Sequence, residues 1–209
     1  KTVEKKALNI ADKKDEKKVE IIAESGDCIT LRANCGHLEG LKIVYDNPGN
    51  TFCTRANTGH LELDNCHLVS QSAGCFRVDE EAKTTIKDSE LFSTYSSASL
   101  MPQSHAVIMD CSFTQPVTDR MRHPAIIIDP DSTCIIIDCT IDSMVNFKPR
   151  SKGMLLRCHI STNGRFLKGE GNGINIQESA KPLIKNCKID NCVEAGVRFD
   201  PKSNGVVDN

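Results

Sequence analysis

The sequence predicts an all-β chain wound as a right-handed, single-stranded parallel β-helix, a solenoid of about seven or eight coils. Three observations carry this. A short unit recurs as "LELDNCHL", "VIMDCSFT", "IIIDCTID", "LLRCHIST" and "LIKNCKID". Aligned on its cysteine or the substitute, it sets anchors at Leu41, Cys66, Ser89, Cys111, Cys139, Cys158 and Cys187, spaced by 25, 23, 22, 28, 19 and 29 residues. Apolar residues fall three before and two after each anchor, an alternation on both sides of a short break that means strand, turn, strand.

Taken along the chain, residues 1–18 come first. They are rich in Lys, Glu and Asp, and are expected to form a charged lead-in or an N-terminal cap over the open first coil. Residues 19–209 hold the repeats. The pairs Leu63/Leu68, Ile86/Leu91, Ile108/Phe113, Ile136/Ile141, Leu155/Ile160 and Ile184/Ile189 should point inward. Asn65, Asp88, Asp110, Asp138 and Asn186 precede their anchors, and should bend the strand because Asn and Asp tolerate a left-handed backbone.

A further strand precedes these units in "CFRVD", "AIIIDP", "GINIQ" and "VRFDP", giving about three short strands per coil. One such coil cannot bury its own inner face, whereas stacked copies pair each strand with its counterparts above and below. The tail "GVVDN" repeats the first half of the unit, so the natural chain is expected to continue beyond a coil cut short at residue 209.

Composition narrows the function. The net charge is −2, so no global field draws the chain to nucleic acid or an anionic membrane. No apolar run reaches the roughly 20 residues a membrane helix needs. Aromatics make up 4% and Trp is absent, which suits thin aliphatic layers. Eleven cysteines, an odd number, in a chain without an Asn-x-Ser/Thr acceptor favour an intracellular, cytoplasmic location over a disulfide framework.

Stacked anchor cysteines should act as small packing thiols. The pairs Cys66-His67 and Cys158-His159 point to opposite faces of a strand and cannot share a metal. The densest carboxylates are Asp129, Asp131, Asp138 and Asp142; turn duty accounts for Asp129 and Asp138 and leaves Asp131 and Asp142 unassigned. Basic residues are scattered, with one local run, "KPRSKG", and no aromatics to stack bases beside it. No catalytic residue, metal ligand or cofactor is expected.

One departure stands out. Four and two residues before the anchor, the solvent-facing positions are polar in Glu62/Asp64 and Thr85/Lys87, but apolar in Val107/Met109, Ile135/Ile137 and Met154/Leu156. Six such side chains on neighbouring strands form a patch of roughly a few hundred Å², large for a surface left in water. The excursions near 115–124 or 161–172, a missing part of the chain, a second copy or a partner protein would cover it.

The stretch "GNGINIQESAKPLIKNCKIDNCVEAGVRFDPKSNGVVDN" resembles parallel β-helix repeats of the CASH type, with G-I-x-I, A-x-P-x-I, N-C-x-I and A-G-V in order over Gly171 to Asn209. It looks closest to the F-box-associated β-helix and the SHC-binding/Nessun dorma family. The resemblance implies the fold and an intracellular interaction module. The arginine-containing signatures of pectate lyases and the catalytic elements of polygalacturonases are absent, so it transfers no catalytic residue. The expectation is therefore a non-enzymatic scaffold that binds a protein partner through Val107, Met109, Ile135, Ile137, Met154 and Leu156; a carbohydrate-binding or carbohydrate-active domain is the rival.

Overall fold

A computed structural model describes residues 2–4, 9–11, 20–23, 26–45, 51–71, 73–116, 123–163 and 171–208. All the elements found there are β-strands, 26 of them, with no helix among the described residues. They form three parallel sheets of nine, nine and eight strands, and the chain visits the sheets in rotation. The first sheet includes Gly74–Val78, Ile126–Ile128 and Ile174–Ile176, the second Lys83–Lys87, Thr133–Ile137 and Lys181–Lys185, and the third Glu90–Ser93, Thr140–Ile141 and Lys188–Asp190. Eight coils thus carry all three strands and a ninth carries two, so the expected solenoid of stacked coils is what the chain forms.

Within the charged opening, Thr2–Glu4 and Asn9–Ala11 pair in parallel with Thr30–Arg32 and His37–Glu39. The rest of the expected lead-in, residues 1, 5–8 and 12–18, lies outside the described residues.

The inward pairs expected around each anchor are buried. Leu63, Ile86, Ile108, Ile136, Leu155 and Ile184 lie within the core, as do Leu68, Leu91, Phe113, Ile141 and Ile160. Ile189 is only partly buried, because one partial coil lies above it. Tyr45, Phe113 and Phe147 are the bulkiest fully buried side chains, and the remaining volume is filled by thin layers of Leu, Ile, Val, Ala and Cys.

Two corners set the coil. Between the second and third sheets, Asn65, Asp88, Asp110, Asp138 and Asn186 all have φ between 49° and 54°, the left-handed bend expected of them. Arg157 takes the same position at φ 53° without an amide or carboxylate of its own at that corner.

Between the first and second sheets the fourth to ninth coils turn through four-residue reversals. The amides of Ala82, Ser104, Ser132, Ser151, Ala180 and Ser203 donate to the carbonyls of Asp79, Met101, Asp129, Lys148, Gln177 and Asp200. The third residue of each, Glu81, Gln103, Asp131, Arg150, Ser179 or Lys202, has φ between 61° and 64°. That is a type II turn, and Pro102, Pro130, Pro149 and Pro201 occupy the position where its fixed φ fits.

The third corner varies. The chain takes three residues from Ser70 to Gly74 and eleven from Thr114 to Ile126, so the spread in anchor spacing collects there.

Candidate functional site

Eight of the cysteines line two interior corners. All eleven are free and nine are buried. The thiols of Cys66, Cys111, Cys139, Cys158 and Cys187 donate to the carbonyls of Asp64, Met109, Ile137, Leu156 and Lys185, two residues back, at 3.0–3.4 Å. They also accept: the amides of Cys111 and Cys158 donate to the sulfurs of Cys139 and Cys187, each at 3.4 Å. Ser89 substitutes in kind, with its hydroxyl 2.7 Å from the Lys87 carbonyl and 3.0 Å from the Cys66 amide.

A second ladder lines the corner between the third and first sheets, where Cys28, Cys53 and Cys75 donate to the carbonyls of Val44, Val69 and Phe92. Hydrogen bonding to Cys111 and burial push Cys139 up to about 12, and Cys139 does the same to Cys158, which reaches about 11. These groups stay protonated and are poor nucleophiles.

The histidines beside the anchors face outward, as strand alternation requires. The His159 ring lies 3.1 Å from Asp190, and the His67 ring 4.0 Å from Glu90.

The carboxylates singled out from the sequence are spread over all three corners. Asp131 holds the left-handed position of its type II turn and accepts from Arg150 at 2.8–3.3 Å. Asp138 accepts from Arg157 through two bonds of 2.6 and 2.7 Å. The arginine in each pair holds its carboxyl below the usual range. Asp131 and Asp138 flank opposite ends of strand Thr133–Ile137, roughly 20 Å apart at the strand rise. Asp142 follows Thr140–Ile141 at the third corner, where its amide donates to the Phe113 carbonyl at 2.8 Å. A cooperating acid pair needs about 5–9 Å, so Asp131 and Asp138 do not make one.

Sequence reasoning missed the network on the outer face of the first sheet. Asp79, 8% exposed, accepts from Arg55, Arg77 and Asn57, each at 2.7 Å. Burial raises its carboxyl, and the bonds from Asn57, Arg55 and Arg77 outweigh that and bring it below the ordinary value. Arg55, Asn57, Arg77, Asp79, Glu80 and Met101 line a cleft of about 290 Å³. Asp129 stands two coils along the same edge, and burial pushes its carboxyl up against the pull of Lys148 and Arg77. The signal was present in the stacking of Arg55 on Arg77, which only the register reveals.

The apolar departure lies on the outer face of the second sheet. Register pairs Val107 with Ile135, Ile135 with Met154, Met109 with Ile137, and Ile137 with Leu156, so the six residues form two columns three coils tall. All six are partly exposed. The first column continues through Leu183, 36% exposed, to Val206, 55% exposed; the rule that found the six also selects Leu183.

Toward the N-terminus the same face is polar and paired. His37 meets Glu62 at 3.3 Å, His60 meets Thr85 at 2.9 Å, and Lys87 meets Asp64 at 2.6 Å. The polar-to-apolar boundary falls between Thr85/Lys87 and Val107/Met109. Residues 117–122 and 164–170, the middles of the excursions expected to fold over the patch, lie outside the described residues.

Comparison with known proteins agrees with this geometry. The family model described as right handed beta helix region matches residues 117–209. Three parallel sheets visited in rotation give the chain the fold of a right-handed parallel β-helix, and the match covers the part of it from residue 117 onward. No curated protein and no solved structure matches it.

Proposed function

We propose that the chain is a non-enzymatic interaction scaffold that binds a protein partner on the outer face of its second sheet. One observation carries the reading: Val107, Ile135 and Met154 stack in register beside Met109, Ile137 and Leu156, directly after coils whose equivalent positions are polar and paired. A contiguous outward apolar patch on a sheet marks an interaction site. The free thiols support a reducing, intracellular setting, and the likeness of residues 171–209 to non-enzymatic CASH-type repeats supports the same role.

Affinity capture with immobilised protein tests this. Proteins retained by the wild type should be lost with Ile135→Asp and Met154→Asp, while circular dichroism and cooperative melting stay native. Equal retention by variant and wild type overturns the proposal.

A second reading rests on the first sheet. Its outer column runs Arg55, Arg77, Ser99, Ile127, Asn146, Asn175 and Arg198. Asn175 donates to Asn146 at 3.3 Å, while its own buried Oδ1 lacks a hydrogen-bond partner among the described residues. The half-exposed side chains of Arg55, Arg77, Ser99 and Asn175 would offer hydrogen bonds to a polyhydroxyl ligand, which favours a carbohydrate-binding surface there. Against it, one of the two tyrosines, Tyr45, is buried in the core, which leaves Tyr95 as the one exposed tyrosine. Saccharide binding on a glycan array, lost in Asn175→Ala, would displace the scaffold reading.

A further inference from the structure

We infer that the apolar face receives an acidic, amphipathic α-helix of a partner protein, laid along the solenoid axis. The inference rests on the interaction-surface reading above and names the partner's chemistry.

Charge pairing around this face leaves two cations over. From the sixth coil onward the charges on the second sheet and its two corners are matched: Asp131 with Arg150, Asp138 with Arg157, Glu178 with Lys202, and Lys185 with Asp208. Asp200 is held by Arg198, and Asp129 feels the charge of Lys148. Lys152 and Lys181 are exposed and have no ion-pair partner among the described residues. Lys152 acts on Asp131 only through space, because the Arg150 guanidinium occupies that carboxylate. Register stacks Lys152 directly against Lys181, and like charges opposite each other on a sheet repel. A row of anions laid across both would turn that repulsion into attraction.

The position of the two lysines decides which anion fits. They stand two residues before Met154 and Leu183 on the same outward face, so the cationic column runs beside the apolar ones, parallel to the solenoid axis. An α-helix presents an apolar stripe and an acidic stripe side by side. Its acids at i and i+3 rise by about 4.5 Å, close to the roughly 4.8 Å between coils. A strand laid along the axis would send alternate residues away and meet one column only. Nor can a strand join the second sheet at the patch, where every strand already has a neighbour on both sides. From Val107 to Val206 the first apolar column spans four coil spacings, roughly 19 Å, which about 13 helical residues would cover.

The far corner carries Asp88, Asp110, Asp138, Arg157 and Asn186, a mixed edge without one sign of charge. Its exposed Asp88 and Asp110 would repel an anionic membrane, which favours a protein helix as the occupant.

The probe is a stapled synthetic helix of about 13 residues, with Leu along one stripe and Glu along the next, followed by fluorescence anisotropy. Wild type should bind it, and Lys152→Glu combined with Lys181→Glu should weaken binding about tenfold with an unchanged circular dichroism spectrum. The same helix with Lys in place of Glu should reverse the order and bind the double variant more tightly than wild type. Ile135→Asp should weaken both. Equal binding of the two helices to wild type, or no binding of the Glu helix up to its solubility limit, overturns the inference. Sedimentation of wild type with phosphatidylserine vesicles, lost in the double variant, would also overturn it and assign the face to a membrane. If captured proteins are lost with Ile135→Asp yet kept by the double lysine variant, the acidic helix falls and the interaction surface stands, so the two failures are separable.

Discussion

The amide of Cys158 donates to the sulfur of Cys187 one coil above, at 3.4 Å, and that same thiol donates to the carbonyl of Lys185. The corner breaks the regular strand ladder, and the side chain supplies the acceptor that the Cys158 amide loses there and a second donor to the Lys185 carbonyl, which also accepts from the Arg157 amide. A hydroxyl can do the same, as Ser89 does. Cys187→Ser should therefore change stability by less than about 1 kcal/mol, while Cys187→Ala, which leaves the Cys158 amide short of a partner although the Lys185 carbonyl still accepts from the Arg157 amide, should cost about 1–2 kcal/mol. Urea unfolding of the two variants checks this.

Asp79 and Asp129 should respond to acid in opposite senses. Hydrogen bonds outweigh burial at Asp79 and lower its folded value below the unfolded 3.8. Its contribution is then present at neutral pH and lost as the pH falls below 3.8 through the lowered value. Removing its charge leaves two arginines without their shared partner, so Asp79→Asn should cost about 2–4 kcal/mol at pH 7 and much less in strong acid.

Burial raises Asp129, so its folded form is favoured below the unfolded 3.8 and loses that advantage as the pH rises through the raised value. Asp129→Asn should raise Tm at pH 7 and leave it unchanged below the unfolded value. Thermal melts at both pH values test the sign; a lower Tm at pH 7 would contradict it.

Gly153 admits no side chain. A Cβ built there would stand 2.2 Å from the Cys134 carbonyl oxygen on the neighbouring strand. Gly153→Ala should destabilise by about 1–3 kcal/mol. Adding Cys134→Ala should recover none of it, because the clash is with main chain. The melting temperatures of the single and double variants decide the matter.

Thiol titration should separate surface from ladder. Cys35 is exposed and should react at once with a disulfide reagent at mildly alkaline pH. Cys139 and Cys158, held near 12 and 11 and buried, should react only on unfolding. Denaturant should release all eleven.

The coil was legible because its corners are chemical. Asn65, Asp88, Asp110, Asp138 and Asn186 bend the chain by a property each carries alone, so a single sequence reveals them. The type II turns were also written in the sequence, as "MPQS", "DPDS", "KPRS" and "DPKS", and went unread because the cysteine unit drew the alignment. They explain Asp131, which the turn places and Arg150 neutralises.

The apolar columns were legible for the same reason as the core: alternation fixes which face each residue meets. The Arg55–Asp79–Arg77 network was not, because Arg55 and Asn57 come from the coil below Asp79 and only Arg77, two residues before it, is near in sequence. Arg157 shows the limit of the corner rule, since it takes the left-handed bend while its side chain reaches Asp138 on the strand below.

The unequal third corner has a consequence for how such a chain can change. From the fourth coil onward the first corner has a fixed four-residue turn, and the second always spends two residues between strands, so a residue gained or lost at either would flip a whole strand inside out. The third corner already spans three residues in one coil and eleven in another with no shift in register. New peptide can be grafted there, coil by coil, while the faces of the solenoid remain as they are. The molecule is in this sense a ruler with one editable margin.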